Sequence, residues 1–429
     1  MASPLAYQLG IAGPVPRATL ASAVPATRVN RITLAAFYLM VFSFNFEMPD
    51  RGGWEIPAMT AALFLASTPL ALRACYGRIP SALLWFAGFL WVFGASSLLH
   101  GWVNFGDVRH YFIVLVEAIL VGWASLNLFS RVAVGVAALW CYVFSALARS
   151  VLPMIGVGRT SYAVWTGGER VTAFGQNANF SAIMLSAGLV ILAGLTYGRG
   201  RTSRAMRLAA WPIGAFIGAA IIETGSRGGL LALGGGLLAL MFTAGGNLKV
   251  RLRNGLVTVL ALGSMTYAAF TVTVMKNRLE ATAETGTLAG REQLWPSLVD
   301  MALEKPWTGW GPINNQYEVG TRTTDLAREH RDAHNLLLEL LTALGLAGAV
   351  PFLIGLGICV VGAWRGRTSP YGIVPFALMA LFLVANVSTN SIAYKPFWWV
   401  LALALASGEL AARPGQVARL EGETRSCAA

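Results

Sequence analysis

The sequence predicts an all-α polytopic membrane protein, with about twelve transmembrane helices and a long, partly helical loop before the tenth. Three observations carry that expectation. The 429-residue chain is 56% hydrophobic and only 12% charged, with a mean hydropathy of +0.60. Soluble domains carry about 25% charge, and one this apolar would leave large greasy patches in water. The apolar residues fall into runs long enough to cross a bilayer, which takes about 20 helical residues. The basic residues recur in alternate connections between those runs, the positive-inside pattern.

Taken in order, residues 1–31 read as a cytoplasmic tail. They hold Arg17, Arg28, Arg31, Pro14 and Pro16, but no compact basic region, apolar core and cleavage site in succession. Nine spans follow over 32–274, with approximate limits 32–48, 56–72, 79–98, 110–129, 132–151, 178–196, 206–223, 228–244 and 255–274. Residues 275–334 form the long loop. Three more spans, 335–362, 372–388 and 391–407, complete a C-terminal region 335–407, and 408–429 is a second cytoplasmic tail. The eighth span is rich in glycine, and its GGLLALGGGLLAL suits close helix packing through small residues. It has no lysine partner and is not a phosphate loop. The twelfth is interrupted by Lys395 and Pro396.

With the N-terminus inside, the cytoplasm receives Arg73, Arg78, Arg131, Arg199, Arg201, Arg204, Arg207, Lys249, Arg251, Arg253, Arg365 and Arg367. This accounts for the net charge of +12 without nucleic acid. The cations are spread over short loops beside anionic membrane lipids, not gathered on one groove. Cys75, Cys141, Cys359 and Cys427 form no CxxC, and the first three sit in or beside apolar runs as small hydrophobes.

The long external loop holds seven basic and nine acidic residues, unlike the cytoplasmic connections. Trp295, Trp307 and Trp310 and the periodicity of Leu294, Leu298 and Met301 suggest short helices on the membrane face. Four stretches on this side have chemical potential. In GERVTAFGQNANFSA, Arg170 precedes Asn177 and Asn179. They form a turn and cap with a solvated arginine, or they face an external cavity and hold pyrophosphate or sugar hydroxyls. In ETGSRGG, Ser226 and Arg227 sit in a very short turn. Arg227 pairs with Glu223, or its guanidinium binds an anion at a helix start. In LAGREQLW, Arg291 opens an amphipathic helix, followed by the breaker-rich EKPWTGWGP. There the alternative is an aromatic anchor at the interface plus a solvated arginine. In REHRDAHNLLLEL, His330 and His334 stand four apart before the tenth span. HExxH is absent and Arg331 opposes a cation. His334 is a polar helix-entry residue, or a base or hydrogen-bond acceptor at the mouth of a cavity, with Asn335 to orient it or a substrate hydroxyl. His330 reads as ordinary surface.

In their order, GERVTAFGQNANFSA, TGSRGG, GREQLW with KPWTGWG, and DAHNLLLELLTALGLAG resemble the bacterial O-antigen ligase and O-antigen polymerase superfamily, over about residues 165–350. Ala178 stands where that family often has proline between the two asparagines. The resemblance implies a metal-independent inverting glycosyltransferase of the inner membrane, with no cofactor and a periplasmic active face. Its donor is a glycan on undecaprenyl pyrophosphate. A ligase passes that glycan to lipid A–core, a polymerase to another carrier-linked glycan, and relatives make exopolysaccharide or glycosylate proteins. Other polysaccharide-assembly proteins are implied partners. Carried over, Arg170, Arg227 and Arg291 look like the family's arginines and His334 like its essential histidine. Arg170, Arg227 and His334 would be catalytic, with Arg291, Asn177, Asn179, Ser226 and Asn335 binding substrate. A lipid-linked-sugar transporter of equal span count would instead break or charge its helices near the membrane centre.

Overall fold

Hydropathy locates apolar runs; caps, prolines and glycines decide where the helices in them begin and stop. The computed structural model describes residues 29–46, 56–101, 105–164, 166–197, 203–243, 248–286, 290–323 and 331–412. Most of both expected tails, Cys427 and His330 lie outside them. Each expected span falls on a helix. The first half comprises α1 (Arg31–Ser43), α2 (Ile56–Ser67), α3 (Leu72–Tyr76), α4 (Ser81–Leu99), α5 (Phe105–Phe129), α6 (Val132–Met154), α7 (Ala178–Tyr197) and α8 (Arg204–Glu223). The second comprises α9 (Arg227–Ala239), α10 (Leu248–Thr271), α11 (Thr273–Thr285), α12 (Arg291–Glu304), α13 (Asn314–Arg322), α14 (Leu336–Arg365), α15 (Val374–Ala385) and α16 (Lys395–Ala411). Side-chain caps fix several starts: Asn30 accepts from Ile32, Ser203 from Met206, Ser226 from Gly229 and Asn335 from Leu338.

The protein is an all-α polytopic membrane protein. Among the described residues, seven helices are long and apolar enough to cross a membrane: Ile56–Tyr76, α4, α5, α6, α7, α8 and Leu336–Thr368. The pair Gly255–Thr271 and Thr273–Thr285, bent by 93°, makes an eighth if it is one broken span. The difference from twelve lies in length. The 13 residues of α1 rise about 20 Å at 1.5 Å each, against a hydrocarbon core of about 30 Å. Arg227–Phe242 and α15 are likewise short apolar helices.

Packing explains two oddities of the sequence. The glycine-rich α9 lies wedged between α7 and α15. A Cβ on Gly229 would stand 2.3 Å from that of Ala182, and one on Gly236 would stand 2.8 Å from Val190. The twelfth span is not interrupted at Lys395 and Pro396; it starts there. The helix α16 is buried along nearly its whole length, and Trp399 stacks on Tyr142 at 5.7 Å. Lys395 is buried and pairs with Glu117 of α5 at 3.1 Å, so neither charge is left alone in a dry interior.

The connections sort onto two faces. On one, Arg78 pairs with Glu409 at 3.0 Å, Arg253 donates to the Tyr197 carbonyl and Arg367 to that of Phe242. On the other lie the starts of α5, α7, α9, α14 and α16, the helices α11–α13, and a hairpin of β1 (Arg159–Ala163) and β2 (Glu169–Ala173). The loop helices are folded as expected: Leu294, Leu298 and Met301 are buried together with Val319 and Ala333.

The EKPWTGWGP segment docks into a break in α14. Gly345 has φ +61 and ψ −163, so the helix loses its internal bonds there. The loop replaces them. Trp310 and Gly311 donate to the Thr342 and Ala343 carbonyls, while Leu346 and Ala347 donate to Pro306 and Trp307. A Cβ on Gly345 would stand 2.4 Å from the Trp307 carbonyl carbon. The expected role of this segment as an interfacial anchor is therefore incomplete: Trp307 is exposed, but the backbone around it is a structural splice.

Candidate functional site

Arg170 sits on β2 opposite Tyr162, whose ring lies 5.7 Å from its guanidinium carbon. The side chain is buried. Its Nε donates to the Thr224 carbonyl at 2.6 Å and its Nη2 to Asn179 Oδ1 at 3.0 Å. These bonds clamp the hairpin to the α8–α9 turn and to the start of α7. Burial pushes its pKa down to about 10; Tyr162 opposes that shift, and the charges of Arg278 and Arg227 add to it.

Arg227 is the first residue of α9. It donates to the Arg278 carbonyl at 3.2 Å and to Thr282 Oγ1. Arg278, on α11, has its pKa lowered by burial, with Tyr162 opposing. Its Nε–H is buried without a hydrogen-bond partner among the described residues. Arg291 opens α12 and donates to the Ser388 carbonyl at 2.9 Å. Its pKa is lowered by burial and by Arg278, against Glu292 and Asp332. Four guanidinium groups therefore act on one another, and backbone carbonyls hold those of Arg170, Arg227 and Arg291 in place. Such an array offers preorganised, charge-assisted hydrogen bonds to a phosphate-bearing group.

His334 is exposed and has φ +48, a left-handed conformation that costs a non-glycine residue about 1–3 kcal/mol. Its surroundings hold it there. Its own N–H donates to Asp332 Oδ1 at 2.9 Å, and the Ala333 N–H donates to Glu339 Oε2 at 3.2 Å. The Ala333 carbonyl accepts from Trp295 at 3.3 Å. Glu339 is buried and also accepts from Asn315 and Gln316 of α13. The loop core and the start of α14 thus jointly present the histidine.

The turn after α15 joins this segment to the arginines. Ser388 O holds Arg291, Val387 O accepts from the Asn335 amide at 3.2 Å, and Asn386 O accepts the Leu336 N–H. Arg170, Arg227, Arg291 and His334 accordingly lie on one side of the bundle. The sequence reading missed Arg278 and the 386–388 turn. Arg278 looks like one more surface cation in an amphipathic stretch, and a turn that works through its carbonyls has no side-chain signature.

The polar candidates have structural duties. Asn177 Oδ1 caps α7 by accepting from Asn179 and Phe180. Ser226 caps α9 and donates to Asn179 Oδ1 at 2.9 Å. Asn335 caps α14. Glu223 forms no ion pair with Arg227 among the described residues. Nor do those residues include any group of three or more His, Cys, Asp or Glu placed to hold a metal ion.

Residues 212–353 match the family model described as O-Antigen ligase. Over those residues the chain is similar to that O-antigen ligase family. No curated protein matches the chain. The O-antigen ligase match spans Arg227, Arg278, Arg291 and His334, together with both halves of the Gly345 splice; Arg170 and its hairpin precede it.

Proposed function

We propose that the protein is an inverting glycosyltransferase of the bacterial inner membrane, working on the periplasmic face. It moves a glycan from undecaprenyl pyrophosphate to a hydroxyl of lipid A–core. The observation that carries this reading is the cluster of Arg170, Arg227, Arg278 and Arg291 on one side of the helical bundle. Four cations that lower one another's pKa suit a polyanionic lipid head, and the family match points the same way.

In the reaction, the acceptor oxygen attacks C1 of the donor sugar from the face opposite the pyrophosphate. The new C1–O bond forms as the bond from C1 to the pyrophosphate oxygen breaks, and configuration inverts. His334 takes the acceptor proton, and undecaprenyl pyrophosphate leaves with the bonding electrons. The arginines stabilise charge as it gathers on the leaving group. Asn177, Ser226 and Asn335 keep those groups in place through their caps, and Asn179 through its bonds to Arg170 and Ser226.

Deletion of the gene followed by analysis of surface polysaccharide tests this. Accumulated carrier-linked polymer with unmodified lipid A–core supports the ligase. A ladder ending at a single repeat identifies an O-antigen polymerase instead, and loss of exopolysaccharide alone identifies a polymerase of that pathway.

A further inference from the structure

A cavity of about 270 Å³ lies beside the arginine cluster, and none of the four arginines lines it. His110 and Tyr111 of α5 form one wall and Asn390 and Tyr394, ahead of α16, another; Gln316 and Asp332 close it. Two amides, a carboxylate, two phenols and an imidazole offer both donors and acceptors. Aromatic surface is present as well: Phe180 lines the cavity with its ring 4.3 Å from that of Tyr394. Lys395 on the wall is already paired with Glu117. Such a lining suits a ring carrying hydroxyls, with an apolar face for its C–H groups, and not a second pyrophosphate. Ligand pockets run about 300–1,000 Å³, so this one fits a sugar ring and not an extended chain.

The cavity and the arginine cluster share a wall. Asp332 lines the cavity, accepts the His334 N–H and acts electrostatically on Arg291. Phe180 follows Asn179, the partner of Arg170. We propose that this cavity is the acceptor subsite, holding the attacking sugar against the Asp332–His334 segment while the arginines hold the donor. The assignment rests on the glycosyl-transfer reading above. The acceptor ring belongs either to lipid A–core or to a second glycan repeat, and both present the same hydroxyl chemistry.

Binding to the purified full-length protein separates the possibilities. Three probes are used: undecaprenyl pyrophosphate, lipid A–core oligosaccharide, and the glycan repeat freed from its carrier. His110 is exposed, so His110→Ala leaves the fold intact; Asn390→Ala is the second variant, and it also removes the bond to the Ile392 N–H. Both should weaken binding of one saccharide about tenfold and leave undecaprenyl pyrophosphate unaffected. The saccharide that responds names the source. Unchanged saccharide binding in His110→Ala, or an equal loss of undecaprenyl pyrophosphate, overturns the subsite. So does a wild-type protein that binds the pyrophosphate but neither saccharide, and in that case the transfer reading stands. A wild-type protein that does not bind undecaprenyl pyrophosphate sinks the transfer reading, and the subsite with it.

Discussion

Arg170 and Arg322 lie on the same side of the bundle in opposite electrostatic settings. Arg322 meets Glu304 at 2.6 Å and Glu318 at 2.7 Å, and its guanidinium carbon lies 4.8 Å from the Trp310 ring. Its pKa is raised, first by the hydrogen bond to Glu304, with burial opposing. Arg170 is buried beside Arg227 and Arg278, and its pKa falls. The contrast separates an arginine held by two carboxylates of the chain from one held by a carbonyl and an amide among other cations, the setting that the proposed function assigns to an incoming anion. It also divides the sequence motifs. GREQLW and TGSRGG deliver guanidinium groups to the cluster, whereas KPWTGWG and ALGLAG repair a broken helix.

The largest effect should come from the imidazole beside the cluster. His334→Ala should lower glycan transfer about 10²–10⁴-fold, the usual contribution of a general base. His334→Gly should be as inactive yet at least as stable, because glycine adopts φ +48 without strain. Turnover and thermal midpoint measured on both variants check this. Near-normal transfer by either one removes His334 from the chemistry.

Next in size is the splice. Gly345→Ala puts a Cβ against the Trp307 backbone at a positive φ, and should cost about 2–3 kcal/mol of stability. A lowered thermal midpoint with near-normal donor affinity in the surviving folded protein is expected. An unchanged midpoint with lost donor binding would move this region from architecture to chemistry.

The sequence made the helices legible because apolar length and the alternation of Arg78, Arg131, Arg253 and Arg367 are direct physical signals. It placed Arg170, Arg227, Arg291 and His334 on one side for the same reason. It hid whatever depends on backbone geometry. Gly345 looked like one more small residue in an apolar run. The 93° bend between α10 and α11, which brings Arg278 to the cluster, left no proline as a marker. Asn177, Ser226 and Asn335 were visible as polar residues at helix starts. Whether their side chains are occupied by capping is a matter of hydrogen-bond partners, which only coordinates supply.

Arg278 and Arg322 make the direct test of the opening contrast. Arg278→Gln keeps a polar hydrogen-bonding side chain but shortens it and removes the charge, and should weaken undecaprenyl pyrophosphate binding about tenfold. Arg322→Gln should leave that affinity unchanged, since its partners are Glu304 and Glu318. Equal losses in the two variants would mean that long-range charge, not placement, governs binding.

The smallest effect is a pH dependence confined to the Arg322 contact. The hydrogen bond from Arg322 holds the exposed Glu304 carboxyl below its ordinary value of 4.5. A group whose folded pKa is depressed adds stability that is fully present above the unfolded pKa and is lost as pH falls through the folded one. The wild-type advantage in thermal midpoint over Glu304→Gln should therefore be constant from neutrality to about pH 5, then shrink toward zero below about pH 4. It will be slight at every pH, because solvent screens an exposed pair. A gap that persists or widens in acid would mean that the pair is not what ties α12 to α13. The burden would then fall on Trp310, whose Nε1–H donates to the Met301 carbonyl at 3.0 Å.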